Sequence, residues 1–180
     1  MRAVVLVEGI SDQVALETLA ERRGRDLDAE GVTVVPIGGA QAIGRFLSEY
    51  GPQGLDVRLA GLCDAAEERD FQRGLERAGL GSNLSRAEME SLGFYVCVSD
   101  LEDELIRSLG APAVEEIIEA QRELGPFRTF QKQPAQKGKT IEAQLWRFMG
   151  NRKIRYASLL VNALDLARVP RPLDLVLAHV

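Results

Sequence analysis

Residues 3–24, AVVLVEGISDQVALETLAERRG, decide the fold. Five consecutive apolar residues, Ala3 to Val7, suit a strand buried on both faces, as in a parallel sheet. Glu8-Gly9 breaks the run and the period then changes. Val14, Leu16, Leu19 and Ala20 fall toward the sheet from a helix over Asp12 to Arg23, with Ser11 as N-cap and Gly24 as the stop. A buried strand feeding an amphipathic helix is the first half of a βαβ unit.

Working outward, the alternation repeats. VTVVPI (32–37) reads as a second strand, and Gly38-Gly39 turns into a helix over AQAIGRFLSEY (40–50), closed by Gly51-Pro52. VRLAGL (57–62) is a third strand, and the polar run AAEERDFQRGLERAG (65–79) reads as a loop leading into a helix. SRAEMESLG (85–93) is a short helix in which Ser85 and Glu88 form a capping box, followed by a fourth strand, GFYVCV (93–98). From Asp100 the pattern is helical: LEDELIRSLG, PAVEEIIEAQREL, a Pro/Gln/Lys-rich loop over 125–139, TIEAQLWRFMG and RKIRYASLLVNALDLA. Pro170 and Pro172 end that last helix, and LDLVLAHV (173–180) completes the core or forms a dimer seam, with the core the expectation. The expectation is an α/β core over residues 1–110, a mostly parallel four-stranded sheet with flanking helices. A helical C-terminal extension over 111–180 packs on it and carries the basic patch.

The chain of 180 residues suits one sizeable domain, or a domain with an extension, and is long enough to bury most of its apolar surface. Its apolar (46%) and charged (27%) fractions are those of an ordinary soluble globular protein, so class must come from pattern. Cys63 and Cys97 lie inside strand-like runs as small buried hydrophobes, which fits a reduced, cytoplasmic setting. No stretch approaches the roughly 18 uninterrupted apolar residues of a membrane span, and MRAVVLVEG meets an acid too soon for a signal peptide. The net charge of −5 argues against a protein that coats nucleic acid along its whole surface. Residues 126–156 nevertheless hold eight bases (Arg128, Lys132, Lys137, Lys139, Arg147, Arg152, Lys153, Arg155) against one acid, Glu142, a local +7. An acidic body with a basic flank suits a polyanion; a solvated basic loop and helix is the plainer reading.

Three of the strand-like runs end against acids: Glu8 with Asp12, then Asp64, then Asp100 with Glu102. Strand ends in open parallel sheets are where ligands collect. Carboxylates gathered there need a counter-ion, and oxygen-only clusters suit hard ions such as Mg2+ that also take phosphate oxygens. Helix capping accounts for Asp12, Asp103 and Glu104 at least as well, and Glu67-Glu68 and Glu115-Glu116 read as solvated faces. Lys153, at the start of a helix within the positive segment, could meet a phosphate oxygen or stabilise a leaving group; a solvated surface lysine is the plainer reading. His179, the penultimate residue, carries no role.

These residues resemble the Toprim domain found in topoisomerases, bacterial primases, small nucleases and recombination mediators, most specifically that of the overcoming-lysogenization-defect (OLD) nucleases. VVLVEGISD resembles the opening strand–glutamate–glycine motif, GLCDAAEE stands in place of Asp-x-Asp, VSDLEDEL resembles the Asp-Leu-Glu segment of the OLD branch, and GNRKIRYASLL its late lysine element. The resemblance implies a Toprim-like, Rossmann-like fold and a metal-dependent nuclease. It makes Glu8 a metal ligand and general acid or base, supported by Asp12. Asp64 binds metal, Asp100 and Glu102 do so in a second position, and Lys153 stabilises the transition state. Two Mg2+ or Mn2+ ions about 3.5–4 Å apart then clamp a phosphodiester. Arg128, Lys132, Lys137, Lys139, Arg152 and Arg155 bind the nucleic acid, DNA more than RNA.

Two features depart from that pattern. The second acid of Asp-x-Asp is Ala66, so either Glu67 or Glu68 compensates, or one ion is held loosely and turnover is reduced. No G-x-x-x-x-G-K-[ST] P-loop is present, so an ATPase is a separate partner or the protein acts alone. The competing readings are a Toprim-like binding module without turnover, a phosphoacceptor receiver domain, and a nucleotidyl transferase acting on a small molecule.

Overall fold

A computed structural model describes all 180 residues. Four strands, β1 (Ala3–Val7), β2 (Val32–Pro36), β3 (Arg58–Cys63) and β4 (Phe94–Val96), form one parallel sheet in the order β2-β1-β3-β4. Val5 pairs with Val34 on one side and Ala60 on the other, and Leu62 pairs with Tyr95. Eleven helices follow the strands: α1 (Ile10–Arg22), α2 (Leu27–Glu30), α3 (Ile43–Tyr50), α4 (Glu68–Arg77), α5 (Arg86–Ser91), α6 (Leu101–Leu109), α7 (Ala111–Ala120), α8 (Leu124–Gln131), α9 (Ile141–Met149), α10 (Lys153–Ala163) and α11 (Arg171–His179). None is long and apolar enough to cross a membrane.

Side chains alternate across each strand, so both faces of the sheet are packed and the strands read as unbroken apolar runs. Val5, Val7, Val34, Ala60 and Leu62 join a core that runs through α1 and α6 to Val180 at the chain end. Val4, Leu6, Leu59 and Cys63 face the opposite way onto α3, α4 and α5. Cys63 and Cys97 therefore lie in different cores, both as free buried thiols. Gly61 allows close approach within the sheet: a Cβ there would stand 2.5 Å from the Phe94 ring.

The strand order creates the site. The chain leaves β1 through α1 toward β2, but leaves β3 through α4 on the opposite face toward β4. Connections that diverge from two neighbouring strands open a crevice at their carboxyl ends, the usual ligand position in such sheets. Glu8 and Asp64 are the residues that leave β1 and β3 there.

The C-terminal third closes one face. α10 lies along α1, and Arg22 Nη1 donates to the carbonyls of Val161 (2.8 Å) and Leu164 (2.7 Å), groups that a helix end otherwise leaves unpaired. α11 lies against β3 and β4, with Leu173, Val176 and Leu177 buried. Residues 173–180 thus complete the core, as expected from their apolar pattern.

Three local expectations change. Helix α8 occupies residues 124–131, where composition indicated a loop; Pro126 falls in its first turn, where an N–H has no helical partner to lose. Phe127 and Phe130 hold it against Phe148, with ring centroids 5.1 and 5.7 Å away. Pro172 likewise opens α11, beyond a helix that has already ended at Ala163. Gly9, not Ser11, is the N-cap of α1, and the Asp12 carboxylate accepts the Gly9 N–H at 2.9 Å. The Ser85–Glu88 capping box forms as read.

Because one core spans β1 to Val180, the chain should unfold as a unit. Leu160, 1% exposed, lies in that core. Leu160→Ala is expected to cost about 2–5 kcal/mol in urea denaturation, with a single transition seen alike by far-UV dichroism and by fluorescence. Two separate transitions would show that the C-terminal helices fold independently.

Candidate metal centre

The carboxyl end of β1 delivers Glu8, and a short 3-10 turn after β3 (Ala65–Glu67), which Asp64 precedes, delivers Asp64 and Glu67. One oxygen from each of the three lies within 4.8 Å of the others. The group is held from behind: Glu8 Oε1 accepts the Asp64 N–H at 2.7 Å, and the Ala65 N–H donates to the Ser99 carbonyl at 3.1 Å, tying the loop after β3 to the loop after β4. Glu67 Oε2 is buried and has no hydrogen-bond partner.

The second group stands at the start of α6. Asp100 caps that helix, its Oδ1 accepting the Asp103 N–H at 2.8 Å. Its Oδ2 accepts the Trp146 indole N–H at 2.8 Å and faces Lys153 Nζ at 3.4 Å. Lys153 donates to Glu102 Oε2 at 2.9 Å. Asp100 and Glu102 are both 6% exposed, unusual burial for acids and tolerable because they are paired. Of the other acids here, Asp103 pairs with Arg107, and Glu104 accepts the Val98 N–H and also meets Arg107. Those two are structural, as their capping positions indicated.

Electrostatics joins the two groups. Burial raises the Asp64 carboxyl to about 8, and the charges of Glu8, Asp12 and Asp100 push the same way. Burial likewise raises Asp12 to about 7 against the pull of its Gly9 hydrogen bond, with Glu102 and Glu8 adding to the rise. Glu8 is raised, first by burial and then by Glu67 and Asp100, although the Asp64 N–H opposes it. Burial works against the charge of Lys153, but the bond to Glu102 and the charges of Glu102, Asp100 and Asp64 outweigh it and hold the ammonium well above its usual range. One cation among six acids leaves a deficit of positive charge. An all-oxygen donor set with raised carboxyls and one orphaned buried oxygen fits a hard divalent ion such as Mg2+ or Mn2+.

All of Glu8, Asp12, Asp64, Asp100, Glu102 and Lys153 are therefore brought to one end of the sheet. Glu67 joins them, although its place beside Glu68 reads as a solvated face; its spacing from Asp64 was the available signal. Glu68 turns away to Arg86, bonded at 2.8 Å. Trp146 had no sequence signal at all. The basic segment divides differently from its composition. Arg152 and Arg155 both bind Glu123 (2.9 and 2.7 Å), Arg152 also covers the Phe148 ring at 4.0 Å, and Arg128 binds Glu115. Those arginines are held by the protein's own acids, whereas Lys132, Lys137, Lys139 and Arg147 are exposed and make no salt bridge. A cavity of about 740 Å³ along α1, α2 and β2 is lined by Glu17, Glu21, Asp26 and Asp28 and by none of the acids or the lysine of this site.

A parallel sheet in this order with acids at the ends of β1 and β3 and before α6 fits a Toprim-like fold, and superposition on solved structures carries that assignment. Residues 1–65 match the family described as overcoming lysogenization defect protein-like, TOPRIM domain. The match includes Glu8 and Asp64. The C-terminal region of the Xanthomonas campestris pv. campestris OLD protein superposes with a TM-score of 0.75 at 25% identity, covering 99% of this chain and 91% of that one. The C-terminal region of the Burkholderia pseudomallei OLD protein gives 0.75 at 21% identity, covering 99% and 96%, a likeness of fold. No curated protein matches the sequence.

Asp12 and Asp64 keep their protons in the folded chain at a pH where the unfolded chain has lost them, so ionisation costs stability as pH climbs through about 7 to 8. In EDTA the melting temperature is expected to fall between about pH 5 and pH 8.5, with Asp64→Asn flattening the fall and Mn2+ restoring most at the alkaline end. A wild-type curve as flat as that of the variant contradicts this coupling.

Proposed function

We propose that this protein is a divalent-metal-dependent nuclease that hydrolyses phosphodiester bonds, with DNA the expected substrate ahead of RNA. The observation that carries the reading is the meeting of Glu8, Asp64 and Glu67 within 4.8 Å beside the Asp100–Glu102–Lys153 group. Glu8, Asp64 and Glu67 hold one ion. Asp12, Asp100 and Glu102 serve a second, with Glu8 acting also as general acid or base. A carboxylate offers about four lone-pair sites, and Asp100 uses three on Asp103, Trp146 and Lys153, which leaves it one. Ions bound there supply Lewis acidity and a water of lowered pKa.

The remaining work falls to the chain. Glu67 takes the place that Ala66 leaves vacant in Asp-x-Asp, its extra methylene reaching back from one residue further on. Lys153, charged at any working pH, exchanges Glu102 for a phosphate oxygen and stabilises charge on the departing oxygen. Lys132, Lys137, Lys139 and Arg147 remain for the nucleic-acid backbone, where each contact adds affinity and salt dependence without sequence preference. A separate ATPase subunit is the partner that the OLD resemblance suggests.

The protein incubated with supercoiled plasmid and with labelled single strands is expected to cleave in Mg2+ or Mn2+ and not in EDTA. Lys153→Ala should lower the rate by about 10²–10³-fold, and Glu8→Gln should abolish it. By calorimetry Glu67→Gln should weaken Mn2+ binding by at least about tenfold, while Glu68→Gln leaves it unchanged. Metal binding through Glu8 with no cleavage under any condition would instead favour the binding-module reading.

A further inference from the structure

We infer that Trp146 is a stacking platform for an unpaired nucleobase next to the scissile phosphate, so that the substrate is single-stranded or locally opened nucleic acid. The inference rests on the nuclease reading above. Seven large hydrophobic residues are exposed in this protein; three lie within two residues of a member of the acidic site in sequence, and a fourth, Trp146, is bonded to one. Ile10 (52% exposed) follows Glu8 by two residues, Val98 (70%) precedes Asp100 by two, Ile154 (56%) adjoins Lys153, and Trp146 (37%) is bonded to Asp100. The indole N–H is engaged by Asp100, so the exposed part of Trp146 is its hydrocarbon surface. That surface is anchored one hydrogen bond from the acids, within a nucleotide's reach of a phosphate bound there.

Covering Trp146 with an apolar protein surface would also desolvate the half-buried Lys153, Glu8 and Asp64 at high cost. A nucleotide meets both demands, with an anion for the cations and a ring for the indole. Stacking on aromatic side chains requires an open base face, which unpaired bases have and stacked duplex bases lack. Arg147, beside Trp146 in α9, is exposed and without an ion pair, as a contact to the adjoining backbone requires. Glu123 holds Arg152 and Arg155, Glu115 holds Arg128, and these pairings keep the other arginines of the segment from that role.

Trp146 is the only tryptophan, so intrinsic fluorescence reads it directly. In Ca2+, which takes the same oxygen ligands, a short single strand is expected to quench the emission. A fully paired duplex or an abasic strand of equal charge should not. By anisotropy, Trp146→Leu should weaken single-strand binding by about 5- to 150-fold, the equivalent of one stacked base, and leave the abasic strand unaffected. Trp146→Phe, which loses the bond to Asp100 but keeps an aromatic face, should stay close to wild type. Equal quenching by duplex or abasic strand overturns the inference. So does a Phe variant as weak as Leu, which would make the indole a positioning group for Asp100, or an emission change with protein concentration alone, which would put a second copy on the indole. No binding of any strand would remove the nuclease reading itself, a result distinct from binding without quenching.

Discussion

Glu8, Asp64 and Glu67 stand within 4.8 Å of one another, and ionised carboxylates at about 4 Å near a protein surface repel by about 4 kcal/mol per pair. Asp12, Asp100 and Glu102 add to the same field, as the raised carboxyls of Asp12 and Asp64 show. A folded chain holds such a cluster only if rigid elements force it, retained protons neutralise some of its members, or a cation relieves it. Here the forcing is visible. Residues leaving two neighbouring parallel strands cannot move apart without breaking the sheet, and backbone hydrogen bonds from Asp64 to Glu8 and from Ala65 to Ser99 lock the loops between them. The relief within the protein is one ammonium, Lys153, and the protons that Asp12 and Asp64 retain until about pH 7 to 8, beyond which only a bound cation can supply the rest.

Delivering that ammonium explains the C-terminal third. Arg152 immediately precedes α10, fixed by Glu123 and by the Phe148 ring, so the first residue of the helix projects at Asp100 and Glu102. Arg22 secures the other end of α10 to α1, the helix that begins beside Glu8. Helix α9 brings Trp146 to the same aspartate. The helices that complete the hydrophobic core are thus also the mounting of the cationic and aromatic side of the site. Stability and site geometry depend on the same packing.

Local features were legible in the sequence. Four strands, the helices that alternate with them and the acids at their ends follow from apolar runs and their punctuation, because those signals act within a few residues. Glu8, Asp64, Asp100 and Glu102 needed only the rule that strand ends gather ligands. Legibility stopped where partners are distant in the chain. Nothing near Lys153 announces Glu102, 51 residues away, and nothing near Arg152 announces Glu123, so a run of eight bases looked like one free surface when several were already paired. Helix α8 was hidden because Gly125 and Pro126 argue for a loop, and the preference was reversed by aromatic packing on Phe148. Glu67 was obscured by its neighbour: of two adjacent glutamates, only Arg86, 18 residues beyond Glu68, determines which one faces outward.

We propose that these carboxylates are assembled to hold a divalent ion. Crystals soaked in Mn2+ and measured near its absorption edge test it most directly. An anomalous peak is expected, bonded to Glu8, Asp64 and Glu67 at about the 2.0–2.2 Å of a small divalent ion. A map without a peak there, or with Glu67 turned to solvent and Mn2+ bound elsewhere, would contradict it.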